Sequence, residues 1–299
     1  MLLQQEIESL AAAGPSADRE AARGAFARLR EALSAGTVRA AQPDSSSPVG
    51  WRVNAWVKQG ILLGFRFGDT VNASMDHGKW PFYDKDTLPL RRFPDGAGIR
   101  IVPGGSSVRD GAYLAPGVIC MPPMFVNIGA WIGEQSLIDS HALVGSCAQV
   151  GARVHVSAGA QIGGVIEPVG ARVHVSAGAQ IGGVLEPVGA LPVIIEDDAL
   201  IGGNTGIYEG TLIRTRAVVA AGTVLTGSTP VYDLVRGEII KPTPEHPLVI
   251  PEGAVVVPGA RGVTGGKGPE WELALCTPVI VKYRDSRTDM RTELEAWIR

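Results

Sequence analysis

The most regular feature of the chain is an aliphatic residue that recurs at every sixth position. This period runs through ten positions and, after two short interruptions, through seven more. Small residues often follow four positions after an aliphatic one, as at Ala112, Ala130, Ser136, Ala142 and Ala160. The aliphatic positions are Val108, Leu114, Cys120, Val126, Ile132, Ile138, Val144, Val150, Val156 and Ile162, and then Ile195, Ile201, Ile207, Ile213, Val219, Leu225 and Val231.

A period of six predicts a solenoid made of short strands. Six residues are too few for a helical repeat, but they suit one strand and one tight turn. Three such units close a triangular coil, in which residues 18 apart stack at the strand-pairing distance of about 4.8 Å. The aliphatic position then points inward, and the small residue lies at a corner. We therefore predict a mainly β chain built on a parallel β-helix. The alternative, a sandwich of short strands, does not require a strict period of six residues.

The two ends of the chain have different patterns. Apolar residues at helical spacing predict helices from residue 3 to about residue 35, broken near Gly14, with Asp18 or Ser16 as the second N-cap. The segment from Trp51 predicts a strand and then a helical or extended segment, and this N-terminal part shows no catalytic signature. The predicted domains are an N-terminal helical or mixed cap over 1–99, the β-helix over 100–260 with PEGAVVVPGARG as a last irregular coil, and a C-terminal extension with a short strand and helix over 261–299.

One segment of the β-helix is repeated almost unchanged. Residues 151–169 and 170–188 differ only at Ile166 versus Leu185, whereas the other hexapeptides share little beyond their period. Each copy has one coil of 18 residues plus one extra residue. We expect the second copy to form an additional coil in phase with the core, with a one-residue bulge at each Glu-Pro. The inward residues that correspond are Val150, Val156 and Ile162 with Val169, Val175 and Ile181.

Composition and charge narrow the classes of function. Glycine (39) and proline (21) make up about a fifth of the 299 residues, which argues against a helical bundle. The net charge of −3 gives no basic field that would recruit nucleic acid or an anionic membrane. The sequence has neither a signal-peptide pattern nor an apolar run of 18 residues, and its three cysteines lack metal-ligand spacing. We expect a soluble, cytoplasmic protein with reduced thiols.

Three segments carry a resemblance to a known family. They are residues 121–151, residues 181–203 and the PVIVKY of residues 278–283. With VNIGA, GSCAQ and GGVLEP in that order, the chain resembles the tetrahydrodipicolinate N-succinyltransferases, a family of hexapeptide acyltransferases, over about residues 95–285. The resemblance implies a left-handed β-helix, a homotrimer, and succinyl transfer from succinyl-CoA to tetrahydrodipicolinate in the lysine and diaminopimelate pathway. This chemistry requires no metal and no permanently bound cofactor.

The resemblance also assigns residues to the acceptor site. It places a catalytic, acceptor-contacting carboxylate at Asp139, and a substrate-binding arginine at Arg100 whose guanidinium suits a dicarboxylate. The second catalytic carboxylate of the family lies where this chain has Gly206. Glu209, three residues later, is the candidate that substitutes for it.

Other candidates concern the thioester and CoA. Asn127 and Ser146 lie in the VNIG and GSC segments, where they could hydrogen-bond the acceptor or the thioester or be ordinary turn residues. Glycine pairs permit close approach of the pantetheine arm, or form corners, and lysines can meet the CoA phosphates or be solvated. The CoA-binding candidates are Gly163, Gly164, Gly182, Gly183, Lys267 and Lys282.

Three further side chains have competing interpretations. His141, two residues after Asp139, is an alternative base, because many hexapeptide acetyltransferases use a histidine. His155 and His174 are copies of one another that stack on adjacent coils, and they raise a metal-site alternative that lacks a third ligand at fitting spacing. Cys147 is expected to pack in the interior.

The repeated coil has a predicted consequence for activity. Counting strands places Asp139 and Glu209 about three coils apart, about 14 Å, against two coils, about 10 Å, without the second copy. A displacement of about 1 Å can cost a hundredfold in rate. We therefore expect a folded trimer with weakened or absent activity if both residues build one site. The alternatives are an N-acetyltransferase of the same pathway and a non-catalytic, engineered β-helix scaffold.

Overall fold

A computed structural model gives the fold of most of the chain. It describes residues 2–47, 50–74, 81–163, 168–182, 192–208, 210–243 and 247–285. Within them an N-terminal helical part precedes a long parallel β-helix, which confirms the fold class predicted from the period of six. No helix in these ranges is long and apolar enough to cross a membrane.

Three helices form the N-terminal part. Helix α1 (Leu3–Ala13) and helix α2 (Arg19–Ser34) are separated by a 3₁₀ turn at Gly14–Ser16, as predicted. The carboxylate of Asp18 caps α2 by accepting from the Ala21 N–H at 2.7 Å, which decides between the two predicted caps. The remaining elements are helix α3 (Ala55–Phe67) and two antiparallel strand pairs, Ala41–Pro43 with Trp51–Val53 and Thr70–Asn72 with Tyr83–Lys85.

Two glycines allow these helices to pack closely. A Cβ on Gly60 would lie 2.4 Å from the Leu29 side chain, and one on Gly64 would lie 2.5 Å from the Phe26 ring. Both glycines are on α3, about one turn apart, and both partners are on α2. The helices therefore approach more closely than residues with side chains would permit. The core around them includes the fully buried Ile7.

The β-helix has three parallel faces, which follow one another along the chain. In each two-residue strand except Arg100–Ile101 the second residue is buried in the interior, whereas Ile101 is 38% exposed. Face 1 contains Arg100–Ile101, Ile119–Cys120, Leu137–Ile138, His155–Val156, His174–Val175, Leu200–Ile201 and Val218–Val219. Face 2 contains Ser107–Val108, Phe125–Val126, Leu143–Val144, Gln161–Ile162, Gln180–Ile181, Gly206–Ile207 and Val224–Leu225. Face 3 contains Tyr113–Leu114, Trp131–Ile132, Gln149–Val150, Pro168–Val169, Ile194–Ile195, Leu212–Ile213 and Val249–Ile250.

Strand register confirms the predicted stacking. Ile132 pairs with Val150, 18 residues later, and the small corner residues named above are all buried. Across the repeated segment the offset becomes 19, because Val156 pairs with Val175. The next coil is longer still, since Val175 pairs with Ile201. The second copy thus forms its own coil in phase with the core, as predicted; the Glu-Pro positions of both copies lie partly or wholly outside the described residues.

The repeat ends one strand earlier than its period predicts. The predicted partner of Ile213 is Val231, but Ile213 pairs with Ile250 instead. Residue Val231 is still buried in the core, yet it belongs to a strand (Val231–Asp233) that turns back antiparallel onto Glu238–Ile240. Buried Asp233 closes this turn by accepting from the N–H groups of Val235 and Arg236 at 2.9 and 3.0 Å. A turn-forming carboxylate therefore interrupts the coil.

The C-terminal part closes face 1. Strand Ala254–Gly262 continues the parallel stack, with Val256 beside Val219, as expected for a last irregular coil. It then forms a long antiparallel hairpin with Ala274–Tyr283, which also pairs with Val231–Asp233. The C-terminal helix predicted from RTELEAWIR lies outside the described residues.

Candidate active site

The predicted site residues fall on two different corners of the triangular coil. Asp139 directly follows a face 1 strand and lies on the corner between faces 1 and 2. Asn127, Ser146, Gly163 and Gly182 follow face 2 strands and lie on the corner between faces 2 and 3. A single chain therefore brings the last four residues into one column but does not join them to Asp139.

The carboxylate of Asp139 is held from two directions. Its Oδ1 accepts from the Ser140 N–H at 2.7 Å, and its Oδ2 lies 3.8 Å from Nε2 of His155 on the next coil. The side chain is 30% exposed, so the carboxylate is accessible. Arg100 lies on the same face and is exposed, two strands away in register, which corresponds to about 10 Å along the axis. Face 1 thus brings the two acceptor-site candidates to one side.

His141 serves as a turn residue in this structure. Its φ of 60° is in the left-handed region, at the position that Gly159 and Gly178 occupy in the next two coils. Its backbone N–H donates to the carbonyl of Pro123, and its side chain is exposed. The backbone geometry accounts for the turn at His141, and its exposed imidazole stays an alternative candidate for the base.

The corner between faces 2 and 3 has a strip without side chains. On successive coils the backbone N–H of a glycine donates a hydrogen bond to the carbonyl oxygen of an isoleucine on the next coil. The pairs are Gly145 with Ile162, Gly163 with Ile181 at 2.6 Å, and Gly182 with Ile207 at 2.8 Å. We call Gly145, Gly163 and Gly182 the glycine strip. Asn127 borders the strip at one end and Tyr208 at the other, because both continue the same column. Gly164 and Gly183 lie outside the described residues.

The binding candidates beside the strip are partly committed to local contacts. Asn127 is half-buried, and its Oδ1 accepts from the N–H of Ile128 at 2.9 Å. Ser146 is only 6% exposed. Both residues stand at the edge of the strip, but only the half-buried Asn127 is accessible to a ligand there, because Ser146 is almost fully buried.

Tyr208 fills the place that the resemblance gives to a second carboxylate. A Cβ on Gly206 would lie 2.7 Å from the Tyr208 ring, so the ring covers that position. The Tyr208 hydroxyl donates to Oε1 of Gln180 at 2.9 Å. Glu209, the substitute candidate, lies outside the described residues. Sequence reasoning missed Tyr208, although a glycine two residues before a large aromatic residue was a visible signal.

The two lysine candidates are far from each other. Lys282 pairs in register with Val255 near the base of the C-terminal hairpin, and its Nζ lies 3.9 Å from Asp285. Lys267 lies in the loop beyond the other end, where it pairs with Glu270. Eight residues of extended strand separate Lys282 from that loop, which is about 27 Å. One chain does not bring both ammonium groups to one phosphate site.

The N-terminal helices cover part of the corner between faces 2 and 3. Ile61 of α3 packs where Gly129 and the buried Cys147 meet, and Ile128 belongs to the same core. Cys147 therefore packs, as predicted. The prediction of a cap over residues 1–99 did not include this packing of α3 against the β-helix. The apolar residues Ile128 and Cys147 at turn positions were a signal for it. Lys58, one turn from Ile61, is 2% exposed, and its Nζ has no hydrogen-bond partner in the described part of the chain.

Face 3 is occupied by the same N-terminal part. The rings of Tyr113 and Trp131 stack at 5.2 Å, and the Arg39 guanidinium lies 3.9 Å from the Trp131 centroid. Arg39 Nε also donates to buried Gln149 at 3.0 Å. Burial lowers the pKa of Arg39 to about 10, so it stays charged at neutral pH. Ligands thus have access to face 1 and to Gly163 and Gly182 of the glycine strip, which are partly exposed, rather than to buried Gly145 or to these coils of face 3.

Metal-ligating side chains do not gather at the site. Among the residues with described positions, no group of three histidine, cysteine or acidic side chains could hold a metal ion. His155 and His174 do stack, with ring centroids 4.8 Å apart and planes at 80°. The acidic side chain beside this pair is that of Asp139, whose Oδ2 lies 3.8 Å from Nε2 of His155.

The fold and the two corners define a class, that of the hexapeptide-repeat proteins. A family model described as the hexapeptide repeat of succinyl-transferase matches residues 192–227. A second, described as the tetrahydrodipicolinate N-succinyltransferase N-terminal region, matches residues 3–67. The N-terminal helices are thus diagnostic too, although the sequence resemblance was placed only from residue 95 onward.

Curated relatives identify the family. A 2,3,4,5-tetrahydropyridine-2,6-dicarboxylate N-succinyltransferase of Rhodopseudomonas palustris is 39% identical over 93% of this chain and 90% of its own length. The enzyme of that name from Polynucleobacter asymbioticus is 36% identical over 100% and 97%. The chain belongs to this family.

A solved structure gives a more distant likeness. It is a Campylobacter jejuni protein whose assignment as a 2,3,4,5-tetrahydropyridine-2-carboxylate N-succinyltransferase is provisional. It shares 16% identity with a TM-score of 0.35, over 86% of this chain and 62% of that chain.

Proposed function

We propose that this chain transfers the succinyl group of succinyl-CoA to tetrahydrodipicolinate. The main support is the alignment of relatives named for this activity along nine-tenths or more of their own length. The proposal includes a homotrimer that acts in the cytoplasm, with no resident cofactor and no nucleic-acid or membrane partner. Succinyl-CoA is then a substrate that binds and leaves.

Asp139 acts as the general base in this proposal. Acyl transfer forms a bond between the acceptor nitrogen and the succinyl carbonyl carbon and breaks the bond from that carbon to sulfur. The acceptor is a cyclic imine, so water first adds to its C=N bond and gives the nitrogen its proton. During acylation the Asp139 carboxylate takes that proton and passes it to the sulfur, and CoA leaves as the thiol. Arg100, on the same face, binds a carboxylate of the acceptor.

The glycine strip receives the pantetheine arm. Gly163 and Gly182, on successive coils, are partly exposed and have no side chains, so an extended chain can lie against the backbone of the corner. Asn127 and Ser146, beside the strip, orient the thioester. Since Lys267 and Lys282 are far apart, each can meet a CoA phosphate only by itself. In the trimer, the strip of one chain and Asp139 of another can form one site, because a three-fold axis shifts neighbours around the axis and not along it.

The second copy of the repeated coil lowers the activity. It adds one strand step between Asp139 and the corner that carries Tyr208, because His155 and His174 occupy successive coils. That step is about 5 Å, several times the misplacement that costs about a hundredfold in rate. Groups on the two sides of the insert then no longer meet one acceptor together.

Two deletions test both parts of the proposal. Removing residues 151–169 or residues 170–188 leaves chains that differ only by Leu185 versus Ile166, so each is the control of the other. Thiol release from succinyl-CoA with tetrahydrodipicolinate is measured for both deletions and the full chain, with acetyl-CoA in parallel. We expect both deletions to be active, at least a hundredfold above the full chain, and to prefer succinyl-CoA.

The other outcomes are informative in different ways. Equal turnover in all three chains contradicts the effect of the added coil but keeps the transferase. Preference for acetyl-CoA makes the chain an N-acetyltransferase. Folded trimers without turnover in any of the three chains contradict the proposed reaction and favour a scaffold.

A further inference from the structure

Four polar side chains form a column on the outside of face 1. Oδ2 of Asp139 lies 3.8 Å from Nε2 of His155, and the His155 ring meets the His174 ring edge-on at 4.8 Å. Nε2 of His174 lies 3.4 Å from the Ser157 hydroxyl. His155 and His174 are in strand register, so this contact is fixed by backbone pairing. We call these residues the face 1 polar column.

We propose that His155 is a positioning residue for the Asp139 carboxylate, and that the second copy of the coil adds His174 to this pair. The inference rests on the proposed role of Asp139 as the base. The Ser140 N–H already holds Oδ1, so a donor at Nε2 of His155 fixes the second oxygen and with it the plane of the carboxylate. A separation of 3.8 Å is longer than a hydrogen bond; in this proposal the contact shortens to a hydrogen bond when the acceptor binds, as catalytic contacts often do.

The register shows what the second copy changes next to Asp139. His174 pairs with Leu200 on its far side. Removing residues 170–188 would therefore place Leu200, an aliphatic residue, beside His155. The inserted coil thus alters the chemical surroundings of His155 as well as the axial spacing. These two effects can be separated, because the single substitution His174→Leu restores the aliphatic neighbour without changing the number of coils.

Charge couples the members of the column. The Asp139 anion favours a protonated His155, whereas a second imidazole at 4.8 Å disfavours it when both carry a proton. Histidine changes charge between about pH 5 and 8, so the coupling acts in the physiological range. Other charged or titratable groups lie around the column. On face 1 these are Arg100, two strands away, and the exposed His141. Arg153, in the turn before His155, pairs with Glu134, and Arg172, in the turn before His174, pairs with Asp197 and Asp198.

Histidine titration tests the coupling without relying on turnover. The Cε1 resonances of ¹³C-labelled histidine are followed between about pH 4.5 and 9 in the full chain and in Asp139→Asn, His174→Leu and His141→Asn. We expect Asp139→Asn to lower the His155 midpoint by about one pH unit, and His174→Leu to raise it by a few tenths. His141→Asn, a residue type that tolerates the left-handed conformation, leaves it unchanged. A His155 midpoint that stays within about 0.2 units in Asp139→Asn overturns the proposal.

Kinetics of the chain without residues 170–188, which keeps His155, supply the second readout. His155→Ala should lower kcat roughly tenfold to a hundredfold with KM changed less than about threefold, and shift the acid limb of the kcat profile. His155→Gln, whose amide can still donate to Oδ2, should recover part of kcat. An increase in KM without a decrease in kcat, or an unchanged pH profile of kcat, contradicts a positioning role. If no chain turns over, the proposed reaction fails while the titration still decides the coupling.

Discussion

The two copies of the repeated coil have the same residues but different surroundings. His155 faces the carboxylate of Asp139, whereas His174 faces the Ser157 hydroxyl. Inside the core the copies are equivalent, because Val156 and Val175 are both fully buried on face 1. In a repeat protein, the inward residue has a role set by its own coil, and the outward residue takes its role from the coil next to it.

The largest difference is expected at the position that carries Asp139. Its equivalents in the two copies are Ser157 and Ser176, one and two coils further along the same column. Asp139→Asn should reduce kcat about a thousandfold, because the base is lost, whereas Ser157→Ala should change it less than about threefold. Steady-state kinetics of the chain without residues 170–188, which keeps both residues, measure both. Equal losses in the two variants would mean that the corner as a whole, and not the carboxylate, supports turnover.

The inward positions should respond equally. Val156→Ala and Val175→Ala each remove two methyl groups from the same core, and each should lower the free energy of unfolding by about 2 kcal/mol. Urea denaturation of the two variants measures this, and we expect agreement within about 0.5 kcal/mol. A clearly smaller loss at Val175 would indicate that the second copy packs less well than the first.

The arginines of the two copies should differ modestly. Arg172 binds Asp198 with two hydrogen bonds of 2.6 Å, which raises the pKa of Arg172, whereas Arg153 reaches Glu134 at 3.4 Å. Both arginines are nearly half exposed, so solvent screens both pairs. Arg172→Ala should cost about 0.5–1 kcal/mol and Arg153→Ala at most a few tenths. The difference should shrink in about 1 M salt, and a difference that persists there would point to packing instead of charge.

The smallest contrast concerns the glutamines on face 2. Gln180 accepts the hydroxyl of Tyr208, and Gln161, its counterpart in the first copy, pairs in register with Gln180. Tyr208→Phe should lower the melting temperature by no more than about 1–2 °C, because the bond is exposed. Gln161→Ala is the matched control, and thermal denaturation of both chains is the measurement. A larger effect of the control would show that the outward glutamines stabilise the stack by themselves.

The sequence predicts the β-helix well because two-residue strands leave little room for alternatives. A single inward aliphatic residue per hexapeptide fixes both phase and register, so the 19-residue copies could be placed without coordinates. The departure of Val231 from the coil could not be predicted. This residue would be buried in a regular coil and is also buried in the antiparallel strand pair that the structure shows, and only the turn at Asp233 distinguishes the two.

The candidate site was less predictable than the fold. The resemblance named Asp139 and Arg100, but it gave no information on which corner each residue occupies. The contact from Asp139 to His155 follows from the coil period, since residue 155 stacks on residue 137. The packing of α3 on the corner between faces 2 and 3 depends on how side chains fit together at Gly129 and Cys147. The six-residue period carries no information on that fit.

The antiparallel hairpin at the C-terminal end has a consequence for how such a molecule can lengthen. A stack of parallel strands exposes unpaired N–H and C=O groups at its last coil, and these can recruit the strands of another molecule into a fibre. On face 1 that edge is covered by Ala274–Tyr283, and the sheet continues through Val231–Asp233 to an edge strand of three residues, Glu238–Ile240. On faces 2 and 3 the last strands, Val224–Leu225 and Val249–Ile250, are two residues long and offer little to pair with. Short edge strands thus leave little backbone at this end for another molecule to pair with, whereas a coil inserted between existing ones, as the second copy is, pairs on both sides.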